Sequence, residues 1–183
     1  MNRIILHFLI LVLSGCVAGG SLPRLTEKPE KSLVDGKGDF IELFNGQIIE
    51  GSIAESGNKG LIISGRTYHV KEIKSYQYKS EYRTTIKNRF VTRVTKGKIN
   101  VYKQVIIYAG NMYGSSSSSR AGGSGTFYYI QKGDSGKMEF FEVKKLSEMV
   151  KDNPKALEWI NKYKKQKRKN DSYLDYAIEE YNS

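Results

Sequence analysis

The chain reads as an α+β protein, an antiparallel β-rich barrel or sandwich of roughly eight short strands followed by C-terminal amphipathic helices. Two patterns predict this. Across 39–143, apolar and aromatic residues recur with period two between short runs of Gly, Asn, Ser and Lys, as half-buried strands separated by turns do. Beyond 143 the spacing changes to i, i+3, i+4, i+7, the stripe that one face of a helix buries.

The first hairpin is the clearest element. Phe40-Ile41-Glu42-Leu43-Phe44 and Gln47-Ile48-Ile49-Glu50-Gly51-Ser52-Ile53 flank Asn45-Gly46. That dipeptide supplies the positive φ angles of a two-residue type I′ turn. Short strands follow at 61–64 and 66–70, broken at Gly65. Residues 74–82 alternate with Tyr76, Tyr78 and Tyr82 in step, and 89–95 with 98–108 form a second hairpin around Lys96-Gly97. Within 98–108, Ile99, Val101, Val105 and Ile107 share one face, and Lys103 falls on it too, so Lys103 is expected near an edge or beyond the core. Residues 126–131 and 137–143 make a third hairpin around Gly133-Asp134-Ser135-Gly136. Between the second and third hairpins, 109–125 is Gly- and Ser-rich with few side chains to bury, which predicts a flexible loop.

A short helix is expected from Lys145 to Lys151, closed by Asp152-Asn153-Pro154. Pro154 suits the first turn of the next helix, with Asn153 as its cap. Ala156, Trp159, Ile160 and Tyr163 form one apolar face, and Leu174, Ala177, Ile178 and Tyr181 repeat the spacing. The two helices should cover one face or one mouth of the β unit.

At the N-terminus, Asn2-Arg3 precedes an apolar stretch that ends in Leu13-Ser14-Gly15-Cys16. A cation, an apolar run of about ten residues and a small-residue cleavage site make up an export signal. The run is shorter than the about 20 residues that span a bilayer. Residues 17–38 are polar, punctuated by Gly and Pro and without apolar periodicity. The expected organisation is therefore a signal (1–15), a flexible tether (16–38), a basic β-rich domain (39–143) and C-terminal helices (144–183).

Charge is concentrated. The net charge is +11, and between residues 61 and 110 eleven Lys/Arg face only Glu72 and Glu81. Arg66, Lys74, Arg83, Arg89, Arg93, Lys98 and Lys103 come from this block and are the candidate residues for binding an anion or an acidic partner. A second block holds Lys151, Lys155, Lys162, Lys164, Lys165, Lys167, Arg168 and Lys169 against Asp152 and Glu158. Such fields attract anionic surfaces in a salt-dependent way.

Signals for catalysis are absent from the sequence. No Gly-rich phosphate loop, nucleophile elbow or His-x-x-x-His zinc pattern occurs, and those patterns carry the usual phosphate, acyl-transfer and zinc chemistry. His69 lies in a predicted strand with no partner at metal or catalytic spacing. Asp39/Glu42 and Glu139/Glu142 sit at odd offsets, which a strand places on opposite faces. No cofactor and no metal are expected. Cys16 is the only cysteine, so no disulfide can form within the chain. Thirteen tyrosines, several among basic residues on predicted strands, suit a pleated, half-buried surface and could stack on sugar rings or bind an anionic polymer.

Leu13-Ser14-Gly15-Cys16 resembles the lipobox of bacterial lipoproteins. The resemblance implies cleavage after Gly15, acylation of Cys16 and anchoring to a membrane by more than one acyl chain. In the best-understood sorting systems of that family, aspartate after the lipidated cysteine retains the protein at the inner membrane. Val17 in that place favours the outer membrane. Phe44-Asn45-Gly46-Gln47 with Gly51, Tyr128-Tyr129-Ile130-Gln131-Lys132-Gly133 and the terminal Tyr181-Asn182 together resemble a group of uncharacterised bacterial cell-envelope proteins, from which no activity follows. The first hairpin is also similar to the opening of Sm-like barrels, without their RNA-contacting pattern.

The expected function is that of a non-enzymatic lipoprotein that holds or bridges an acidic envelope protein, an anionic glycan or lipid head groups. Nucleic acid matches the charge but not the compartment. The alternatives are an envelope hydrolase or transferase, which would need carboxylates converging on His69, an inhibitor or immunity-type lipoprotein, and a basic helix that presses the domain onto anionic lipid.

Overall fold

A computed structural model describes Leu22, Leu25 and residues 38–55, 60–108 and 123–183. The fold is α+β and β-rich, as expected. Strands β1 (Phe40–Leu43), β2 (Ile48–Glu50), β3 (Ile53–Glu55), β4 (Leu61–Ile63), β5 (Arg66–Tyr68) and β6 (Ile73–Tyr78) come first. They are followed by β7 (Glu81–Ile86), β8 (Arg89–Thr95), β9 (Ile99–Tyr108), β10 (Gly123–Lys132) and β11 (Glu139–Phe140). Helices α1 (Val143–Met149), α2 (Pro154–Lys165) and α3 (Ser172–Asn182) close the chain. An eight-stranded antiparallel sheet runs β11-β10-β9-β8-β7-β6-β1-β2, and β3-β4-β5 form a second sheet of three.

The described residues thus hold eleven strands rather than about eight. Two of the expected strands are each divided. Residues 47–53 break at Gly51, whose φ of +148° turns the chain from one sheet into the other. Residues 74–82 are interrupted by Lys79-Ser80, both at positive φ (51° and 65°), in a two-residue turn between Tyr78 and Glu81. Ser64-Gly65 and Lys87-Asn88 build the same kind of turn, with both residues at positive φ.

Asn45-Gly46 does not. Gly46 N donates to Leu43 O (2.9 Å) and Leu43 N to Gln47 O (2.9 Å), and only Gly46 has positive φ (+86°). This is a three-residue loop in which a β-turn is followed by a left-handed glycine. It is not the two-residue type I′ turn that Asn-Gly leads one to expect.

Four further expectations change. Gly123-Ser124-Gly125, expected in the flexible loop, are strand residues paired with Tyr108, Ile107 and Ile106; the long β9 partner supplies the ladder that their own side chains cannot. Residues 137–143 hold only the two-residue β11, and α1 starts already at Val143. His69 is not in a strand. It precedes a single 3-10 turn, Val70–Glu72, where its backbone N–H donates to Glu72 Oε2 (2.8 Å). Within the expected tether, Leu22 and Leu25 are core residues. The signal, Cys16 and residues 109–122 lie outside the described residues.

One face of the large sheet carries two apolar cores. Residues opposite each other in an antiparallel pair share a face, so Ile130 and Val101 project together. With Val94, Ile99, Phe141 and Leu146 they pack beneath α2 and α3, which contribute Ala156, Ile160, Tyr163, Leu174, Ala177, Ile178 and Tyr181. These are the helix faces that the sequence periodicity marks. Asn153 caps α2 as expected, accepting from the N–H groups of Lys155 and Ala156 at 3.1 Å. The second core joins Ile41, Ile73 and Tyr76 to Ile53, Leu61, Ile63 and Tyr68 of the small sheet. Beyond these cores β9 is uncovered. Val105 and Ile107, on the same face as Ile99 and Val101, are 52% and 82% exposed.

Among the described residues no helix is long and apolar enough to cross a membrane.

Candidate functional site

The opposite face of the large sheet buries a row of polar side chains. Ser75, Gln77, Arg93, Asn100 and Gln104 are all below a tenth exposed. Arg93 lies on this face directly opposite Tyr102. A bulge follows it, the register stepping from Arg93↔Tyr102 to Thr95↔Val101, and the extra residue, Val94, is buried in the helix-side core. The Arg93 guanidinium carbon lies 4.0 Å from the centre of the Tyr82 ring, and Nη1 is 3.8 Å from Asp134 Oδ1. The Tyr102 hydroxyl donates to Gln131 Oε1 (2.7 Å) and that of Tyr129 to Gln104 Oε1 (3.1 Å). Gln131 Nε2 in turn donates to Gly136 O (2.7 Å) and Asn100 Nδ2 to Asp134 Oδ1 (2.9 Å). Burial pushes the Tyr102 phenol well above its ordinary pKa, against the opposing pull of Arg93. This network ties β8, β9, β10 and the β10–β11 loop into one rigid floor.

Beside this floor, where β7, β8, β9 and β10 meet the β11–α1 segment, a cleft of about 790 Å³ opens. Its walls are apolar and aromatic: Ile86, Ile106, Phe127, Tyr129, Met138 and Phe140. Phe140 packs edge-on against Tyr129 (5.7 Å between ring centres) and lies 6.2 Å from Phe127. Among the described lining residues the rim is cationic, with Lys87, Arg89, Lys137 and Lys145 against Glu139. Lys145 pairs with Glu142 (3.1 Å). Lys87, Arg89 and Lys137 are exposed. Apolar walls with a few placed polar groups are the usual build of a ligand cleft. The positive rim selects for negative charge on what enters.

The seven cations expected to form one binding face are dispersed. Arg89 lines the cleft, and Arg93 lies on the same sheet face within the buried network. Arg83 and Lys103 project from the opposite face, in one line with Thr92. Arg83 is held by the Tyr76 hydroxyl (2.8 Å) and by Glu81 (2.7 Å). Lys74 pairs with Glu42 at 2.6 Å, the hydrogen bond that raises its pKa. Arg66 lies over the Tyr68 ring of the small sheet (4.9 Å) and Lys98 near Tyr181 (6.0 Å). Lys137 and Lys145, far along the chain from the basic block, complete the rim instead. Clustering along the sequence marks Lys87 and Arg89; nothing in it marks the other two.

Three of the four carboxylates considered for acid–base work have structural partners, and the fourth, Glu139, lines the cleft among its cations. Asp39 Oδ1 accepts from Lys79 N (3.0 Å), Glu42 from Lys74 and Ser75 (2.7 Å for Ser75), and Glu142 pairs with Lys145. Among the described residues no group of three or more His, Cys, Asp or Glu could hold a metal ion.

Comparison with protein-family models, with curated proteins and with solved structures finds no match to this chain. The functional reading therefore stands on the geometry of the cleft.

Proposed function

We propose that this protein is a lipid-anchored, non-enzymatic module of the bacterial cell envelope whose cleft holds an acidic segment of another envelope protein. The single observation that carries this reading is the combination of six apolar and aromatic wall residues with the rim of Lys87, Arg89, Lys137 and Lys145. A segment that inserts an apolar side chain and presents carboxylates on either side meets both requirements. The apolar part supplies burial at about 25 cal/mol per Å², and the carboxylates supply orientation and rate of encounter. The anchor is the acyl group on Cys16 implied by the lipobox resemblance, and Val17 in the next position favours the outer membrane.

Photo-crosslinking in intact cells tests this. A photoreactive residue at Met138 should give one main adduct with an acidic envelope protein. The adduct should be lost in Arg89→Glu/Lys137→Glu and should weaken as salt is raised during capture from solubilised membranes. An adduct whose yield ignores both changes contradicts the reading.

A further inference from the structure

Helices α2 and α3 form a hairpin whose connecting end carries a feature that the cleft does not use. Trp159, Tyr173 and Tyr176 make a half-buried cluster, with ring centres 5.7 Å (Trp159–Tyr173), 5.1 Å (Trp159–Tyr176) and 6.2 Å (Tyr173–Tyr176) apart. Lys162 Nζ lies 4.2 Å from the centre of the Trp159 ring. Lys164, Lys165, Lys167, Arg168 and Lys169 surround this end, all exposed. Over residues 158–176 these six cations face Glu158, which pairs with Lys162 (2.9 Å), and Asp171 and Asp175, of which Asp175 is buried.

We propose that this end of the helical hairpin seats the domain on an anionic bilayer surface, with the three rings at the level of the head groups. Tryptophan and tyrosine are the residues that settle at membrane–water interfaces, because each ring pairs an apolar body with a polar tip. Basic residues beside them add attraction to anionic lipid. Trp159 and Tyr173 pack against the helix-side core with part of their surface and keep the rest, with Tyr176, open to solvent beside the cations.

Chain length keeps the helix-side core close to the membrane. Leu22 is fully buried in the core that α2 and α3 share. Cys16 lies six positions earlier, so an extended chain between the two spans at most about 20 Å. This step alone rests on the proposed acylation of Cys16; the rings and cations do not depend on it. Seating through the helices leaves the opposite sheet face, with the cleft, turned away from the bilayer.

The test uses the chain from position 16 with Cys16→Ser, which keeps every described residue and carries no acyl group. It is mixed with phosphatidylcholine vesicles with and without phosphatidylglycerol. Trp159 is the only tryptophan, so quenching of its emission by brominated acyl chains reports the rings directly. Co-sedimentation and quenching are expected with phosphatidylglycerol only, and both should fall as salt is raised. Lys162→Gln/Lys165→Gln/Arg168→Gln should weaken binding about a hundred-fold, at roughly five-fold per cation, with an unchanged circular dichroism spectrum. Arg89→Glu/Lys137→Glu, which disables the cleft, should bind vesicles as before, so the two proposals fail separately. Four results overturn the proposal: no binding to anionic vesicles, equal binding to neutral ones, binding without quenching of Trp159, or loss of binding through the cleft pair instead of the hairpin triple. Capture of polyglutamate by the hairpin cations without any vesicle binding would overturn it as well.

Discussion

Asn182 pairs with Ile99 as a neighbouring strand would. Its Oδ1 accepts from Ile99 N (2.8 Å) and its Nδ2 donates to Ile99 O (2.9 Å), although 83 positions separate the two residues. The side chain thereby satisfies both backbone groups of the fully buried first residue of β9 and fastens the last helix to the sheet. Gly97 is part of the arrangement, since a Cβ there would meet the Asn182 amide. Asn182→Ala should cost about 1–3 kcal/mol, because two buried backbone groups lose their partner. Gly97→Ala should destabilise by expelling the amide, and should cost less once Asn182 is already alanine. A double-mutant cycle by urea unfolding measures this coupling, expected at about 0.5–3 kcal/mol. Additive costs would contradict it.

The tight turns are a second place where stability can be changed predictably. Lys79, Ser80, Lys87 and Asn88 all lie at positive φ, between 47° and 65°, where a side chain costs roughly 1–2 kcal/mol. Glycine removes that cost at the expense of about 0.5–1 kcal/mol of chain entropy. Ser80→Gly and Lys87→Gly should therefore each raise stability by about 0.5–1 kcal/mol, seen as a higher thermal midpoint. Gly65→Ala, at φ +76° with open space around it, should lower the midpoint.

These turns also show what the sequence could and could not reveal. Helices α2 and α3 were legible because burial follows a period set by local geometry alone: Ala156, Ile160 and Tyr163 are buried where the spacing puts them. The cap at Asn153 was legible for the same reason. Lys79-Ser80 and Lys87-Asn88 were not, since neither contains the glycine that advertises a type I′ turn, and tertiary pairing of the flanking strands holds them in place. Asn45-Gly46 advertised such a turn and formed a different one, because Leu43 pairs with Gln47 and leaves three residues in the loop. The cleft was the least legible feature. Its residues run from Ile86 to Lys145 and meet only through sheet register and the return of the β11–α1 segment, neither of which the period-two pattern fixes. The basic block pointed to Lys87 and Arg89 by composition, but could not tell them from Arg83 and Lys103 on the other face.

The buried network makes a prediction about alkaline stability. Burial holds the Tyr102 phenol above its ordinary pKa in the folded protein. The folded state therefore keeps a proton that the unfolded chain releases near pH ~10. The resulting stability is fully present below that pH and is lost as the pH rises toward the raised folded value. Urea unfolding between pH ~8 and ~12 should show stability falling above pH ~10, and the fall should be shallower in Tyr102→Phe. Parallel curves for the two proteins would contradict a buried, neutral Tyr102.

The central claim is that the cleft binds negative charge and an apolar group together. It is tested most directly by NMR titration of the isotope-labelled protein with a short peptide carrying phenylalanine between glutamates. The account predicts salt-dependent shifts at Phe127, Tyr129, Met138 and Phe140 with none at Trp159, smaller shifts when the phenylalanine is replaced by alanine, and their loss in Arg89→Glu/Lys137→Glu. Shifts spread over the basic surface, or cleft shifts that persist in the charge-reversed pair, would contradict it.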